Sequence, residues 1–466
     1  MAFDLRRDEP EAGARAGTEE AEMNHPGVLR EAHAAGNVGE AYAPAPPVNL
    51  EETGLPFFFL VELTAKILFK GGPQREGELV DRIKLLPGVL EPVLDFMRAE
   101  HLIEVQPRTH GDPVHATGKD FTFVLTDMGR QRATDAMARS QYAGPAPVSL
   151  QAYERQVRLQ SMADVEVTRA DIARVFEGVV LKPELLDQFG AAMNSRRASF
   201  VYGPAGAGKT YIAERLIGLL PGGIHIPHAI LVDGEVIQVY DPLVHAPLDD
   251  SGQPHSQLER RGFNDARWVA CRRPVVLCGG ELSLPMLDLQ FDAEARYYNA
   301  PPQVKANNGL LIIDDLGRQL AEPRAIMNRW IVPMDRQLDY LSLHTGNKFR
   351  VPFDVNLVFS TNLKPASLAD DAFLRRLGYK IFVGPIDASD YEGIFRQECD
   401  RFGIPFAPEG LAYVLRRHEE EKRVLLACSP RDLLGQLRDQ ARFRGQRPEM
   451  SEPLLDWAWN NYFVLN

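Results

Sequence analysis

The chain has 466 residues, 45% of them hydrophobic, which excludes a single ordinary core and is ample for two or three packed domains. Its 52 Lys and Arg face 64 Asp and Glu, a net charge of −12, which excludes a global basic field for wrapping nucleic acid while leaving a local basic pore open. Cys271, Cys278, Cys399 and Cys428 show no C-x-x-C spacing, so neither a zinc site nor a redox motif is indicated, and scattered thiols suit a reducing compartment.

In chain order, residues 1–52 are rich in Ala, Gly, Glu and Pro and too poor in large apolar side chains to offset ordering entropy, so a disordered tail is expected, either a tether or a partner-docking segment. No secretory signal is visible and no apolar run could span a bilayer, so a cytoplasmic protein without integral membrane association is expected. Residues 53–140 read as three helices, at Leu55–Phe69, Glu76–Leu85 and Val89–Ile103, with Pro87-Gly88 as a break between the last two. A turn at Gly111-Asp-Pro113, a strand Phe121–Leu125 and a further helix after Thr126 follow. This order resembles a winged-helix domain whose third helix would be the reader. That helix carries Glu91, Asp95, Glu100 and Glu104 against Arg98, the wrong sign for phosphates, so protein docking is favoured over DNA reading. Residues 141–164 are expected to be a linker, with Gly144-Pro-Ala-Pro147 as its exit and a helix over Gln151–Met162.

The most informative segment is Gly203-Pro204-Ala205-Gly206-Ala207-Gly208-Lys209-Thr210, which follows the apolar run Ala198–Tyr202 and precedes a helical pattern over Tyr211–Leu220. It is G-x-x-x-x-G-K-[ST] in its strand–loop–helix context. Glycines let consecutive backbone N–H groups converge on an anion, and the following helix points its positive end the same way. Lys209 would neutralise the β- and γ-phosphates of ATP, and Thr210 would place its hydroxyl on Mg²⁺. Gly309–Ile313 reads as a buried parallel strand ending in Asp314-Asp315. Asp314 would reach Mg²⁺ through water, and Asp315 would orient or deprotonate the attacking water.

With both motifs in place, the chain resembles the AAA+ ATPases from about Val165 to its end. Three segments follow that family's order. Val355–Asn362 resembles the sensor 1 strand, with Asn362 helping to place the lytic water. Asp370–Leu377 resembles the box that carries arginine fingers, leaving Arg375 and Arg376 as alternatives. Ser429-Pro430-Arg431 resembles sensor 2 on a lid helix, with Ser429 as N-cap, Pro430 at the first helical position and Arg431 on the nucleotide. The implied fold class is α/β: a P-loop NTPase parallel-sheet core over 165–387 and a helical lid over 388–466, preceded by the winged-helix-like α+β domain and the tail. Ala306-Asn-Asn-Gly-Leu and a Thr345-Gly346 hairpin before sensor 1 resemble the clade with a pre-sensor-1 insertion. The whole resembles bacterial predicted ATPases with chaperone activity linked to Flp pilus assembly.

The resemblance implies a homo-oligomer, with a hexamer as the expected count, in which Arg375 or Arg376 acts on the neighbouring subunit's nucleotide. It also implies an ATPase that remodels an unidentified protein substrate. The alternative is a DNA-associated ATPase or helicase-loader-like protein, disfavoured by the acidic third helix. Two departures stand out. The family usually ends the second motif in Asp-Glu, whereas Asp315 is one methylene shorter, which puts the rate in question and not the binding. The polar residue that links ligand to catalytic acid has no clear counterpart. Between the two motifs, Ala229–Tyr240 reads as a hairpin turning at Asp233-Gly234. Tyr297-Tyr298 is either an aromatic grip on a pore loop or buried core. His225, His228 and His245 lack a surrounding carboxylate or thiol pattern and read as structural.

Overall fold

The computed structural model describes residues 43–106, 121–248, 264–368 and 371–463. The expected turn at Gly111–Pro113 and all but ten residues of the expected tail lie outside them. Those ten, Ala43–Glu52, are not a tail: Pro47 is buried and the Pro44 carbonyl accepts from Asp265 N at 2.8 Å.

Helices Phe57–Gly71, Glu76–Ile83 and Pro87–Ala99 pack on a small antiparallel sheet in the order Gln74–Arg75, Thr122–Leu125, Ile103–Gln106. Asp127–Arg139 closes this module, with Thr126 accepting from Gly129 N as its N-cap. The helices differ from expectation by two residues at each end of the first, two at the end of the second and more at the third. Pro87 opens the third helix as its first residue, where its missing N–H has no role, and Ile103 belongs to the following strand. Glu91, Asp95, Glu100 and Glu104 are all exposed.

The expected linker is part of the packed structure. Val148–Ser149 pairs in parallel with Ala229–Val232, and the helix Leu150–Leu159 buries Tyr153 and Val157. Behind that helix, Asn307 Nδ2 donates to Tyr153 Oη at 2.8 Å, and Asn308 Nδ2 donates to the Val157 carbonyl at 2.9 Å. The physical reason is satisfaction of buried polar groups: both asparagines sit at the foot of the core, and the helix supplies their partners. Val148–Ser149 edges a five-stranded mixed sheet that continues through Ala229–Val232, Glu235–Gln238, Tyr297–Asn299 and Gln290–Asp292. The expected hairpin is there, turning at Asp233 (φ 50°) and Gly234 (φ 83°). Ala229 and Val236 from this hairpin share one hydrophobic cluster with the N-terminal helices.

The core sheet has five strands, labelled β1 Ser199–Tyr202, β2 Val275–Cys278, β3 Gly309–Ile313, β4 Val355–Thr361 and β5 Tyr379–Phe382. All pairings are parallel, in the order β2-β3-β4-β1-β5. Every residue of β3 and β4 is buried, as expected for a sheet covered on both faces. Before β4, Leu338–Ser342 and Lys348–Pro352 form the expected hairpin around Gly346 (φ 91°). Beyond β5, the chain is helical over Ala388–Phe402, Pro408–Glu420, Ser429–Phe443 and Glu452–Tyr462 around Tyr391, Phe395, Leu434 and Trp459. Among the described residues no helix is long and apolar enough to cross a membrane.

Candidate active site

Because the core strands are parallel, their carboxyl ends share one edge, and β1 lies where the strand order reverses, the place at which such sheets hold ligands. Gly203–Gly208 leaves β1 there and enters the helix Lys209–Arg215, which tightens into a 3₁₀ turn at Leu216–Leu219 instead of continuing to Leu220. Two glycines are required by close approach. A Cβ on Gly203 would stand 1.9 Å from the Val383 carbonyl oxygen, and one on Gly206 (φ 82°) would stand 2.4 Å from Cys428 Sγ.

The side chains then form one connected chain of hydrogen bonds. Lys209, 7% exposed, donates through Nζ to the Gly203 and Pro204 carbonyls at 3.2 and 2.9 Å and to Asn362 Oδ1 at 2.8 Å. Burial lowers its pKa, against the opposing pull of Asp314 and Asp315. Asn362, just past β4, donates through Nδ2 to Asp315 Oδ1 at 3.0 Å. Thr210 Oγ1 donates to Asp314 Oδ2 at 2.7 Å. Asp314 closes the tip of β3 by accepting from the Asp315 N–H at 2.9 Å, and Asp315 itself adopts φ 48°, an unusual conformation for a non-glycine residue. Glu214, one turn along the loop helix, has a raised pKa, first through burial and then through the Asp314 charge.

These residues fit a magnesium–triphosphate ligand on their own chemistry. Thr210 Oγ1 and the Asp314 carboxylate are paired hard oxygen donors, and Lys209 offers an ammonium beside a loop whose glycines leave no Cβ to block it.

Arg375 and Arg376 are not brought to this edge. Tyr379 pairs with Ser199 at the start of β1, so the two arginines preceding it lie at the opposite edge of the sheet. That is a strand's length away, roughly 13 Å for four residues. Arg376 Nε pairs with Asp335 at 3.0 Å, and Arg375 is exposed. Arg431 lies on the helix Ser429–Phe443, its guanidinium paired with Asp432 at 3.0 Å. Ser429 is not the N-cap. It is the first helical residue, and its hydroxyl donates to the Leu426 carbonyl at 2.9 Å, so Cys428 takes the cap position and Pro430 the second helical one.

Three contributors carried no recognisable sequence signal. Cys428 N donates to the Gly206 carbonyl at 3.0 Å, joining the C-terminal helices to the loop. Gln319 Nε2 donates to the Asp314 carbonyl at 2.9 Å. Arg197 holds the segment around Arg375 from the other edge. The aromatic pair is core and not an exposed grip: Tyr298 is 1% exposed within its strand, and Tyr297 packs edge-on to Tyr142. His245 is saturated by the Asp241 N–H and the Lys305 carbonyl, and no metal-holding cluster occurs among the described residues.

Residues 387–461, nearly all of the four C-terminal helices, match a family model described as a domain of unknown function, DUF8689. No curated protein matches the chain. Among solved structures, the chain is similar to NtrX from Brucella abortus, with 14% identity and a TM-score of 0.39 over 64% of this chain and 58% of that one. A second NtrX structure, in complex with ADP, gives 14% identity and a TM-score of 0.37 over 70% and 64%. A point variant of RuvB from Thermotoga maritima gives 10% identity and a TM-score of 0.33 over 66% and 72%. The chain therefore spans less than two thirds of the NtrX chains that it matches. All these similarities are remote, and the character of the core rests on its own strand order and loop geometry.

Proposed function

We propose that this chain is a ring-forming AAA+ ATPase that couples Mg-ATP hydrolysis to the remodelling of a protein or protein assembly. The observation that carries the reading is the convergence of Lys209, Thr210, Asp314, Asp315 and Asn362 into one hydrogen-bonded constellation at the carboxyl edge of the sheet. Bound Mg-ATP supplies the phosphoryl group and the metal's charge. Lys209 neutralises phosphate, Thr210 and Asp314 hold the metal, and Asp315 accepts the proton of the attacking water, with Asn362 fixing its carboxylate.

Two further features support the finer reading. Arg375 and Arg376 sit at the far edge of their own sheet, which suits action on a neighbouring subunit and hence a ring, expected to be a hexamer. The Cys428–Gly206 hydrogen bond gives nucleotide-driven movement of the lid a path to the loop, with Arg431 on the same helix. The exposed acidic residues of the third helix favour a protein over a nucleic acid as partner. The kinship with chaperone-like ATPases of pilus assembly belongs to this proposal as well.

The test is ATP hydrolysis by the purified chain with and without single- and double-stranded DNA. Turnover that Lys209→Ala abolishes and DNA leaves unchanged is the expected result. Strong stimulation by DNA would transfer the protein to the nucleic-acid class, and no turnover under any condition would remove the enzyme reading.

A further inference from the structure

The turn that follows β3 is fixed from two sides. Asp315 holds φ 48° there, a conformation that a non-glycine residue keeps only where its surroundings enforce it. On the β4 side, Leu316 N donates to the Ser360 carbonyl at 2.9 Å, and Thr361 Oγ1 donates to the Leu316 carbonyl at 2.6 Å. Gly317 (φ 108°) lets the turn close against that strand, since a Cβ there would stand 2.8 Å from Leu363 Cδ1. Arg318 N then donates to the Asp315 carbonyl at 2.9 Å.

On the β2 side the turn is held by a carboxamide. Gln319, 9% exposed, accepts from Gly317 N through Oε1 at 2.9 Å. Its Nε2 donates to the Asp314 carbonyl at 2.9 Å and to the carbonyl of Gly279, the residue that follows β2, at 3.2 Å. The Asp314 carbonyl belongs to the peptide plane that enters Asp315, and the Gly317 N–H lies just beyond it on the exit side. One planar group therefore brackets Asp315 along the chain and restrains the torsions that aim its carboxylate. None of these hydrogen bonds reaches the Asp315 carboxylate itself, so what Gln319 contributes passes through the backbone.

We infer that Gln319 is a positioning residue for hydrolysis: its carboxamide fixes the backbone on both sides of Asp315, so that this carboxylate, steadied by Asn362, meets the attacking water. This rests on the ATPase reading. The groups that would hold the triphosphate, Gly203–Gly208 and Lys209, accept no hydrogen bond from Gln319, so the effect falls on turnover and not on binding. A positioning error of about 1 Å is enough to cost about 10²-fold in rate.

The experiment measures kcat, KM and ATP affinity on the full chain carrying Gln319→Ala, Gln319→Glu, Asp315→Asn or Gln319→Ala with Asp315→Asn, the slow variants under single-turnover conditions. Gln319→Ala should lower kcat by about 10²-fold with ATP affinity unchanged. Gln319→Glu keeps the length and the acceptor for Gly317 N but loses both donors, so it should lose at least as much. Because Gln319 acts through Asp315, the double variant should turn over at the rate of Asp315→Asn alone. A residue that merely supports the fold would instead exact the same loss in both backgrounds, or lower ATP affinity along with turnover. Either of those results, an unchanged kcat for Gln319→Ala, or a parent-like rate for Gln319→Glu would overturn the inference and leave the ATPase reading standing. Absence of Lys209-dependent turnover in the parent protein would overturn the ATPase reading, and the inference with it.

Discussion

At the tip of β3, Asp314 and Asp315 are neighbours with different surroundings. Asp314 accepts from Thr210 Oγ1 and from the next residue's N–H, which leaves its charge directed at the loop. Asp315 is turned by its positive φ toward Asn362, whose amide occupies one carboxylate oxygen and leaves the other for a water. Asp315→Asn should therefore retain ATP binding and lose turnover by about 10²- to 10⁴-fold, the usual weight of a general base. ATP affinity by titration and phosphate release in a steady-state assay check both halves; an equal loss of affinity would make Asp315 a binding residue. Asp315→Glu tests reach. If the shorter side chain limits the rate, hydrolysis should rise several-fold, and an unchanged rate would show that the geometry is already set by Asn362.

Between elements, Arg267 acts as a buried junction, held by an ion pair with Asp265 at 2.8 Å with both side chains less than 5% exposed. Arg267 Nη1 also donates to the Thr53 and Pro147 carbonyls at 3.1 and 3.3 Å, so one guanidinium joins the start of the helical module, the 141–164 segment and the strand Trp268–Arg272. Removing one partner strands a buried charge, and Arg267→Ala should destabilise the fold by about 3–5 kcal/mol. Denaturant unfolding checks this, and a change below 1 kcal/mol would show that water reaches the site. An accompanying replacement of Asp265 by Leu should return part of the loss, since no carboxylate then remains unpaired.

For the whole molecule, pH reports on the histidines drawn out of water, His225 and His245 buried and His228 half-buried. His228 packs edge-on to Tyr240, and burial, reinforced by the Lys84 charge, lowers its pKa to about 4. Burial lowers the pKa of His225 and His245 in the same direction. A pKa depressed in the folded state means that the unfolded chain takes up the proton first. Their contribution is thus complete above the ordinary histidine value of 6.5 and is lost as pH falls from 6.5 toward 4. Glu421 acts lower down. Its burial is outweighed by hydrogen bonds from Arg423, Arg417 and Trp459, which hold it at about 2, so its loss begins only below its ordinary 4.5. Melting temperature should therefore fall between pH 6.5 and 4.5, with a shallower slope for His228→Gln. A flat profile for the parent protein across that window would show the imidazoles to be solvated.

The glycine-rich loop of residues 203–208 after its strand, the paired aspartates, the two tight hairpins and the helical character of the C-terminal segment were all legible in the sequence. Each is a local requirement: glycines where a Cβ cannot fit, an apolar run where both faces are covered, and 3.6-residue periodicity where one face is. The tertiary structure alone decided that 141–164 is a strand and helix of the core assembly, that Tyr297 and Tyr298 are packed, and that Arg375 lies a strand's length from the loop of residues 203–208. It alone joined Cys428 to Gly206 and Arg197 to the turn that carries Arg375. Those arrangements join segments far apart in the chain, and burial or one hydrogen bond between distant segments leaves no periodic trace in the sequence to read.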